Sequence, residues 1–179
     1  MVNTFNMDNV ITENLARKFA IQAHGDQQYG DQPYSVHLDA VAALAKSFGA
    51  EAEAIAYLHD VVEDTTVTLL DIEKAFGCFI ARCVAILTDE PGANRRERKK
   101  KTYQKMAEVE AELNLALIVK VCDRLANVNA SLSSDNERML EIYRQEHPVF
   151  RSAAYRAGLC DNLWVELDSK LAWEGTSVE

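Results

Sequence analysis

The sequence predicts an all-α protein that forms a single compact domain of several helices. Of its 179 residues, 48% are hydrophobic, which is enough apolar material for a substantial core, and only 7 are glycine and 3 are proline. So few turn-forming residues argue against a loop-rich or multi-stranded β architecture. Apolar residues also recur three and four positions apart, the spacing that places them on one helix face. We expect one domain over residues 1–179, with its core over about 12–173.

The first three helices are predicted to be separated by polar turns. The first is expected to begin near Thr12 and to end before a turn rich in Gln, Asp and Gly. Ser35 can cap the second helix, and Gly49 ends it. The third carries apolar residues at helical spacing and is expected to continue through His59 and Asp60.

The later helices are predicted from caps, stops and composition. Thr68 and Asp71 have the capping-box spacing before a helix that Gly77 ends. A short apolar helix follows, then a strongly charged one over 94–112 and a mostly apolar one over 115–132. Two more helices, over 134–146 and 148–173, are expected to complete the chain.

Charge and composition exclude several classes of protein. The net charge of -9 disfavours general binding to nucleic acid. The longest uncharged apolar stretches are too short to span a bilayer, and the first residues lack the basic and apolar regions of a secretion signal. The four cysteines form no CxxC pair and no short disulfide framework. We expect a cytoplasmic protein with buried, reduced thiols and no membrane or nucleic-acid partner. Association into a homo-oligomer is possible.

One short segment concentrates ionisable side chains. One imidazole and three carboxylates occupy the six positions from His59 to Asp64, within an otherwise apolar stretch. Burying so many charges requires compensation, and a divalent metal ion is one candidate. If the segment is helical, His59 and Glu63 lie one turn apart, as do Asp60 and Asp64. One of these two rows of side chains could then bind a metal ion while the other transfers protons.

Two residues elsewhere complete a candidate metal site. His37 lies on an apolar helix stripe, and Asp123 interrupts an apolar run, where an unpaired carboxylate would be strongly destabilising. A lone histidine on such a face is more often a core residue, and Lys120 could simply neutralise Asp123. Together with His59 and Asp60, however, they form a set of two histidines and two aspartates that leaves positions open for water and substrate. That set suits Mn²⁺, Fe²⁺ or Zn²⁺.

The spacing of these residues resembles that of the HD-domain metal-dependent phosphohydrolases. More narrowly, PYSVH ending at His37, HDVVEDT beginning at His59 and KVCDRLAN ending at Asn127 resemble the (p)ppGpp hydrolase domain. That domain occurs in RelA/SpoT-type enzymes and in stand-alone small alarmone hydrolases of the Mesh type. The resemblance runs from about Ala16 to the region of Cys160. HD alone is a weak motif, whereas HDxxED between PYxxH and KxxDRxxN is specific.

The resemblance implies a helical HD domain that binds one Mn²⁺ through His37, His59, Asp60 and Asp123, with Fe²⁺ or Zn²⁺ as alternatives. It also implies an enzyme that removes the 3′-pyrophosphate of guanosine tetra- or pentaphosphate, leaving GDP or GTP and pyrophosphate. Asn127 resembles the family's asparagine that contacts the sugar–phosphate region of the nucleotide. No synthetase domain is expected in a chain of 179 residues.

Glu63 and Asp64 are the candidate catalytic residues. They lie one turn beyond the ligands, where they could orient or deprotonate the attacking water and assist the departure of the 3′-oxygen. The sequence does not assign these two tasks between them. The alternative interpretation is an acidic pair at a helix end that is merely solvated.

A polyanionic substrate needs local positive charge on this acidic chain. Six basic residues between positions 95 and 101 form its only dense basic run. Arg98 and Lys99 in that run are candidate contacts to the phosphates, because a local positive face can attract such a ligand despite the overall sign. The alternative is a solvated helix surface with Glu97 between its cations. Lys120 is either a further phosphate contact or simply the partner of Asp123.

One departure from the family pattern concerns the nucleotide. Family members usually carry a basic pair before the PYxxH motif, and this sequence has Gln28 and Tyr29 there. Both are candidate substrate contacts, but a neutral amide and a phenol replace cations that could pair with phosphate. Hydrolysis should survive, whereas the base preference is open. The alternatives are another nucleotide substrate (an adenine alarmone, a dNTP or a nucleoside monophosphate) or a catalytically weak binding module.

Overall fold

The computed structural model describes residues 15–172, and nearly all regular structure in that range is helical. The helices are α1 (15–24), α2 (Ser35–Ala45), α3 (Ala50–Leu58), α4 (Val61–Asp64), α5 (Leu69–Phe76), α6 (Cys78–Leu87), α7 (Arg95–Ala107), α8 (Asn114–Ser133), α9 (Glu137–Ala154) and α10 (Asp161–Lys170). Short 3₁₀ turns cover Lys46–Phe48 and Ala111–Leu113. The predicted all-α class is confirmed, while the expected helix start at Thr12 and the core limits at 12 and 173 lie outside the described residues.

A small β-hairpin lies between α1 and α2, where the sequence predicted only a turn. Strand β1 (Gln28–Tyr29) pairs antiparallel with β2 (Gln32–Pro33). Gly30 occupies the first position of the connecting turn with φ +64, a conformation that glycine adopts without the strain of a side chain. The hairpin sits at the N-terminal side of α2, and this position brings Tyr29 close to the functional site described below.

Helix α8 is the central element of the core. It packs against α2, α3, α6, α9 and α10, and α2 and α3 also pack against each other. Its residues 116–126 are buried without interruption. A helix that is covered on all sides belongs in the interior, which is why its sequence is apolar around most of its circumference. This packing sets one face of α8 directly against the ends of α2 and α3.

Three charged side chains of α8 are buried within this apolar surface, and each has a partner. Lys120 Nζ lies 3.1 Å from Asp123 Oδ2. Arg124 Nη2 lies 2.9 Å from Glu146 Oε2 of α9, and its guanidinium covers the rings of Tyr143 and Phe150 at 4.7 and 4.9 Å. Buried charges need such pairing, because an isolated one would lose its hydration without compensation.

Replacing Glu146 by Gln should destabilise the protein by about 3 kcal/mol, because the buried guanidinium of Arg124 then lacks a counter-charge. Glu146 also accepts two hydrogen bonds from Arg95, at 2.7 and 3.1 Å. Urea denaturation at neutral pH measures the effect. The control is Glu137→Gln on the same helix, since Glu137 is mostly exposed and pairs with Arg144 at 3.4 Å; a change of at most about 0.5 kcal/mol is expected there. Equal losses in the two variants would contradict the prediction.

The prediction that the third helix continues through His59 and Asp60 is wrong. Helix α3 ends at Leu58, and Asp60, with φ -103 and ψ -5, precedes the separate short helix α4. His59 Nδ1 lies 2.6 Å from the carbonyl oxygen of Ala56. In a continuous helix that carbonyl would accept the backbone N–H of Asp60, so the imidazole competes with the helical hydrogen bond.

Three other predicted boundaries also differ. Tyr34, not Ser35, is the N-cap of α2, and its side chain makes no capping hydrogen bond. The charged helix α7 stops at Ala107 instead of continuing to 112. Helix α9 passes through Pro148, and the break comes after Ala154. Burial of His147 and Phe150 on either side of the proline stabilises the helix against the loss of one backbone hydrogen bond.

Two sequence expectations about the surface and the thiols can be compared with this fold. Within residues 15–172, no helix combines the length and the apolar character that crossing a membrane would require. The four cysteines are free; Cys83, Cys122 and Cys160 are buried as expected, whereas Cys78 is exposed.

Candidate metal centre

Four predicted ligands from three parts of the chain meet at one point. His37 comes from α2, His59 and Asp60 from the junction between α3 and α4, and Asp123 from the middle of α8. His59 Nε2 lies 3.3 Å from His37 Nε2 and 2.9 Å from Asp60 Oδ2. Asp123 Oδ1 lies 3.5 Å from the Nε2 of His37 and 3.7 Å from that of His59. The structure therefore brings together the whole predicted ligand set.

Three of these residues place their donor atoms close enough together to hold a divalent metal ion. Ligand atoms of His37, His59 and Asp60 all lie within 4.8 Å of one another. The contact of His59 Nδ1 with the carbonyl of Ala56 assigns a ring proton to Nδ1, so that Nε2 is the nitrogen that can bind a metal ion. This backbone partner is the outer contact typical of metal-binding histidines. Two imidazole nitrogens facing each other beside carboxylates can hold a divalent metal ion.

The electrostatics of the cluster lead to the same conclusion. Burial acts to lower the pKa of His59, but the carboxylates of Asp60 and Asp123 outweigh it and raise that pKa to about 10. Burial acts to raise the pKa of Asp60, and His59 outweighs it, holding the pKa below its ordinary range. In Asp123 burial is opposed chiefly by Lys120, which lowers the pKa. The two carboxylates thus favour positive charge between them, and a metal cation would displace a proton on binding.

Asn127 and Tyr29 support the ligands from one side. Asn127 Nδ2 donates to the backbone oxygen of Asp123 at 3.0 Å and to its Oδ1 at 2.5 Å. Asn127 Oδ1 accepts a 2.6 Å hydrogen bond from the hydroxyl of Tyr29. The ring of Tyr29 lies flat on that of His37, with centroids 4.6 Å apart and an interplanar angle of 12°. Tyr29 is thus part of the wall of the site, and Asn127 orients Asp123.

Tyr34 is a site residue to which the sequence assigned no function. Its hydroxyl lies 2.6 Å from Asp60 Oδ2 and 2.9 Å from Asp64 Oδ2. It precedes His37 by three residues within the PYxxH motif. That position near a ligand was the only available sign, because the contact to Asp64 spans 30 residues of chain.

The two candidate catalytic carboxylates lie at the solvent-exposed rim of the cluster. Glu63 Oε2 accepts a 3.0 Å hydrogen bond from the backbone N–H of Asp89, in the loop between α6 and α7. Partial burial raises the pKa of Glu63 above its ordinary value. Asp64 contacts Tyr34 and, at 3.5 Å, the amide of Gln27. The expected parallel rows on one helix are replaced by a turn, so that Glu63 and Asp64 extend from α4 toward different partners.

Comparison with known proteins places this arrangement in a family. The HD domain family matches residues 16–160. The chain belongs to the HD domain family. It is 29% identical over 147 residues to the guanosine-3′,5′-bis(diphosphate) 3′-pyrophosphohydrolase of Aquifex aeolicus, covering 80% of this chain and 21% of the relative. A Synechocystis protein named as a probable enzyme of the same kind is 31% identical over 152 residues, covering 82% of this chain and 20% of the relative. The chain spans about a fifth of the length of these curated relatives.

A solved structure shares the same fold. A metazoan ortholog of SpoT, described as hydrolysing ppGpp and acting in starvation responses, superposes with a TM-score of 0.73 at 22% identity, over 92% of this chain and 96% of that one. The prediction of a helical HD domain is therefore confirmed. The contacts of Asp123 with His37 and His59 bring the third motif of this HD domain to the His37, His59 and Asp60 cluster.

The basic residues near the metal centre of this HD domain are held by acidic partners. Lys99 Nζ lies 2.9 Å from both carboxylate oxygens of Asp89, and Arg98 Nε lies 3.9 Å from one of them. Lys120 Nζ contacts Asp123 at 3.1 Å. Because the backbone of Asp89 also binds Glu63, these cations lie beside the candidate catalytic rim.

Gln28 is placed differently from the other predicted contacts. Its side chain is exposed on β1, and among residues 15–172 no hydrogen bond joins it to the metal centre. The preceding Gln27 is the glutamine that reaches the rim, through its 3.5 Å contact with Asp64. Its Oε1 also accepts a 2.8 Å hydrogen bond from His24 Nδ1.

Proposed function

We propose that this HD domain is a metal-dependent hydrolase that removes the 3′-pyrophosphate of guanosine tetraphosphate or pentaphosphate, giving GDP or GTP and pyrophosphate. The observation that carries the proposal is the convergence of His37, His59, Asp60 and Asp123, with the carboxylates of Glu63 and Asp64 at the rim. The names of the Aquifex and Synechocystis relatives support the choice of substrate. A cytoplasmic location and association into a homo-oligomer stay predictions.

Mn²⁺ is the proposed cofactor, held by His37, His59, Asp60 and Asp123, with Fe²⁺ or Zn²⁺ as alternatives. When bound, a divalent ion supplies Lewis-acid activation of water and neutralises negative charge on the phosphoryl oxygens. The protein contributes the position of the ligands. The carbonyl of Ala56 fixes the imidazole of His59, and Asn127 fixes the carboxylate of Asp123.

Glu63 and Asp64 are proposed to move the protons of the reaction. A bond forms between a water oxygen and the phosphorus attached to the 3′-oxygen, and the bond between that phosphorus and the 3′-oxygen breaks. The water must lose a proton and the 3′-oxygen must gain one. The raised pKa of Glu63 suits it to carry the proton that goes to the 3′-oxygen. Asp64, exposed at the same rim, is then proposed as the group that accepts the proton of water.

Arg98, Lys99 and Lys120 are proposed to offset the charge of the substrate phosphates. Lys99 is mostly buried, and burial together with the positive charge of Lys120 lowers its pKa. Their electrostatic repulsion decreases when an anion binds between or beside them. A local positive field of this kind favours a pyrophosphate group on a chain whose net charge is -9.

Tyr29 favours a second candidate function, metal-dependent phosphohydrolysis of a different nucleotide such as an adenine alarmone, a dNTP or a nucleoside monophosphate. Its phenol, stacked on His37 and bonded to Asn127, stands where the family pattern has a cation. Tyr29 is proposed to contact the nucleotide through the open face or edge of its ring, and Gln28 through the exposed hairpin. Asn127 is proposed to act on the substrate mainly through Asp123 and Tyr29, because both ends of its amide are already bonded.

The purified protein loaded with Mn²⁺ should release pyrophosphate and GDP from ppGpp. The panel contains ppGpp, pppGpp, ppApp, dGTP and AMP, with products separated by ion-exchange chromatography, and the control is enzyme treated with a chelator. Turnover of a non-guanine nucleotide alone would support the second candidate instead. An absence of turnover across the panel, with Mn²⁺ shown to be bound, would overturn both.

A further inference from the structure

Tyr34 connects the metal centre to the catalytic rim. Its hydroxyl oxygen is 2.6 Å from Asp60 Oδ2, a carboxylate of the metal centre. The same oxygen is 2.9 Å from Asp64 Oδ2 on the rim. A tyrosine hydroxyl carries one proton, so it donates to one of these carboxylates at a time. The phenol oxygen nevertheless holds both carboxylates at hydrogen-bonding distance from a single point.

The position of Tyr34 is itself fixed by packing. The side chain is 9% exposed. Its ring stacks on that of His24 with centroids 4.3 Å apart and an interplanar angle of 17°, and the rings of Tyr29 and His37 meet its edge at 6.1 and 5.7 Å. A ring enclosed on several sides cannot rotate without displacing its neighbours. The packing around the ring therefore holds the hydroxyl in a fixed position.

Asp64 lacks any comparable restraint of its own. It is exposed, and its other side-chain contact among the described residues is the 3.5 Å approach of Gln27 Nε2, at the limit of a hydrogen bond. It is also the last residue of the four-residue helix α4, where the backbone begins to depart from helical geometry. Without the hydroxyl of Tyr34, the carboxylate of Asp64 would sample several rotamers facing solvent.

We propose that Tyr34 is a positioning residue of this enzyme, and that it acts by fixing the carboxylate of Asp64 beside the metal centre. The inference rests on the proposed hydrolase function, in which Asp64 accepts the proton of the attacking water. Precise placement of a proton-transfer group determines the rate, since a displacement of about 1 Å can lower it by about 100-fold.

A double-mutant cycle between Tyr34→Phe and Asp64→Asn tests this coupling. Tyr34→Phe keeps the ring on His24 and removes only the hydroxyl. We expect kcat to fall by about 10- to 100-fold, the range found when outer contacts of a site are removed, with KM changed less than about threefold. In the Asp64→Asn background the same change should lower kcat by less than about twofold, because a group that acts through Asp64 has nothing left to position.

Three results would overturn the proposal. One is an unchanged kcat in Tyr34→Phe. Another is a full effect that persists in the Asp64→Asn background. The third is a Mn²⁺ affinity, measured calorimetrically, that falls as far as kcat, which would mean that the hydroxyl acts through Asp60. The matched control is Tyr57→Phe, a buried tyrosine whose hydroxyl faces Asp39 outside the site; its kcat should equal that of the unmodified protein.

A structural measurement separates this inference from the proposed function. In a crystal structure of the unmodified protein with Mn²⁺, the Tyr34 hydroxyl should remain within about 3.5 Å of Asp64, the outer limit of a hydrogen bond. In Tyr34→Phe the carboxylate of Asp64 should move or lose order. An Asp64 that keeps its place in the variant would overturn the positioning role even if ppGpp is the substrate. A displaced Asp64 would support it even if the panel identifies another nucleotide.

Discussion

Asp60→Ala should abolish both Mn²⁺ binding and turnover. Asp60 Oδ2 lies 2.9 Å from His59 Nε2 and 3.7 Å from His37 Nε2, so the substitution removes an anionic donor from the centre of the cluster. Since Asp60 is a proposed direct ligand, its loss should lower Mn²⁺ affinity by more than the roughly 10- to 100-fold found for residues that only support a ligand. Metal analysis of the dialysed protein and calorimetric titration measure the effect, and kcat on the active nucleotide should fall to background.

The control for Asp60→Ala is Asp39→Ala on α2. Asp39 pairs with Arg17 at 2.7 Å in a half-exposed contact between α1 and α2, outside the metal centre. This variant should bind Mn²⁺ with unchanged affinity and turn over at the normal rate. Stoichiometric metal in Asp60→Ala, bound as tightly as in the unmodified protein, would show that the ion is held by other residues.

The clustering of the four candidate ligands could be predicted from sequence because each is a polar residue within an apolar stretch. His59 and Asp60 are adjacent, and His37 and Asp123 each stand on a stripe that is otherwise apolar. A buried polar residue must have a partner, so four such residues in one chain favour a common site. The central position of α8 follows from the same principle, because its uninterrupted apolar run has to be enclosed by other helices.

The contacts around that cluster depend on tertiary packing and could not be predicted in the same way. Tyr34 and Asp64 are 30 residues apart, and Glu63 and Asp89 are 26 apart. No periodicity joins such pairs, because their meeting depends on how α2, α4 and the α6–α7 loop pack.

The basic run on α7 could be predicted only in part. The sequence shows its density of positive charge, and it also allows the alternative of a surface covered with ion pairs. The structure pairs Arg95 with Glu146 and Lys101 with Glu97, at 2.7 and 3.1 Å. Lys99 instead reaches Asp89 beside the rim. Which cation faces a site is set by the rotation of the helix against its neighbours, and a charge pattern alone leaves that rotation undefined.

Glu63→Gln should lower kcat by about 10²- to 10⁴-fold, the usual contribution of a general acid or base, while Mn²⁺ stays bound with unchanged affinity. Glu63 lies outside the four-residue cluster, and its Oε2 accepts the backbone N–H of Asp89 at 3.0 Å. The amide oxygen of glutamine can accept the same hydrogen bond, so the link between α4 and the loop before α7 should persist. Only the capacity to carry a proton is lost. Steady-state kinetics with calorimetric Mn²⁺ titration separates the two effects.

Glu90→Gln is the matched control, since Glu90 follows Asp89 in the same loop and pairs with Lys105 at 2.7 Å, away from the metal centre. Its kcat should stay within about twofold of the unmodified protein, because this partly exposed ion pair lies outside the reacting groups. The division of the site into ligands and proton carriers then depends on one comparison. If Glu63→Gln loses Mn²⁺ along with activity, Glu63 is itself a ligand and the four-residue metal centre is incomplete. If it keeps the metal and loses only turnover, proton transfer at the rim limits the reaction.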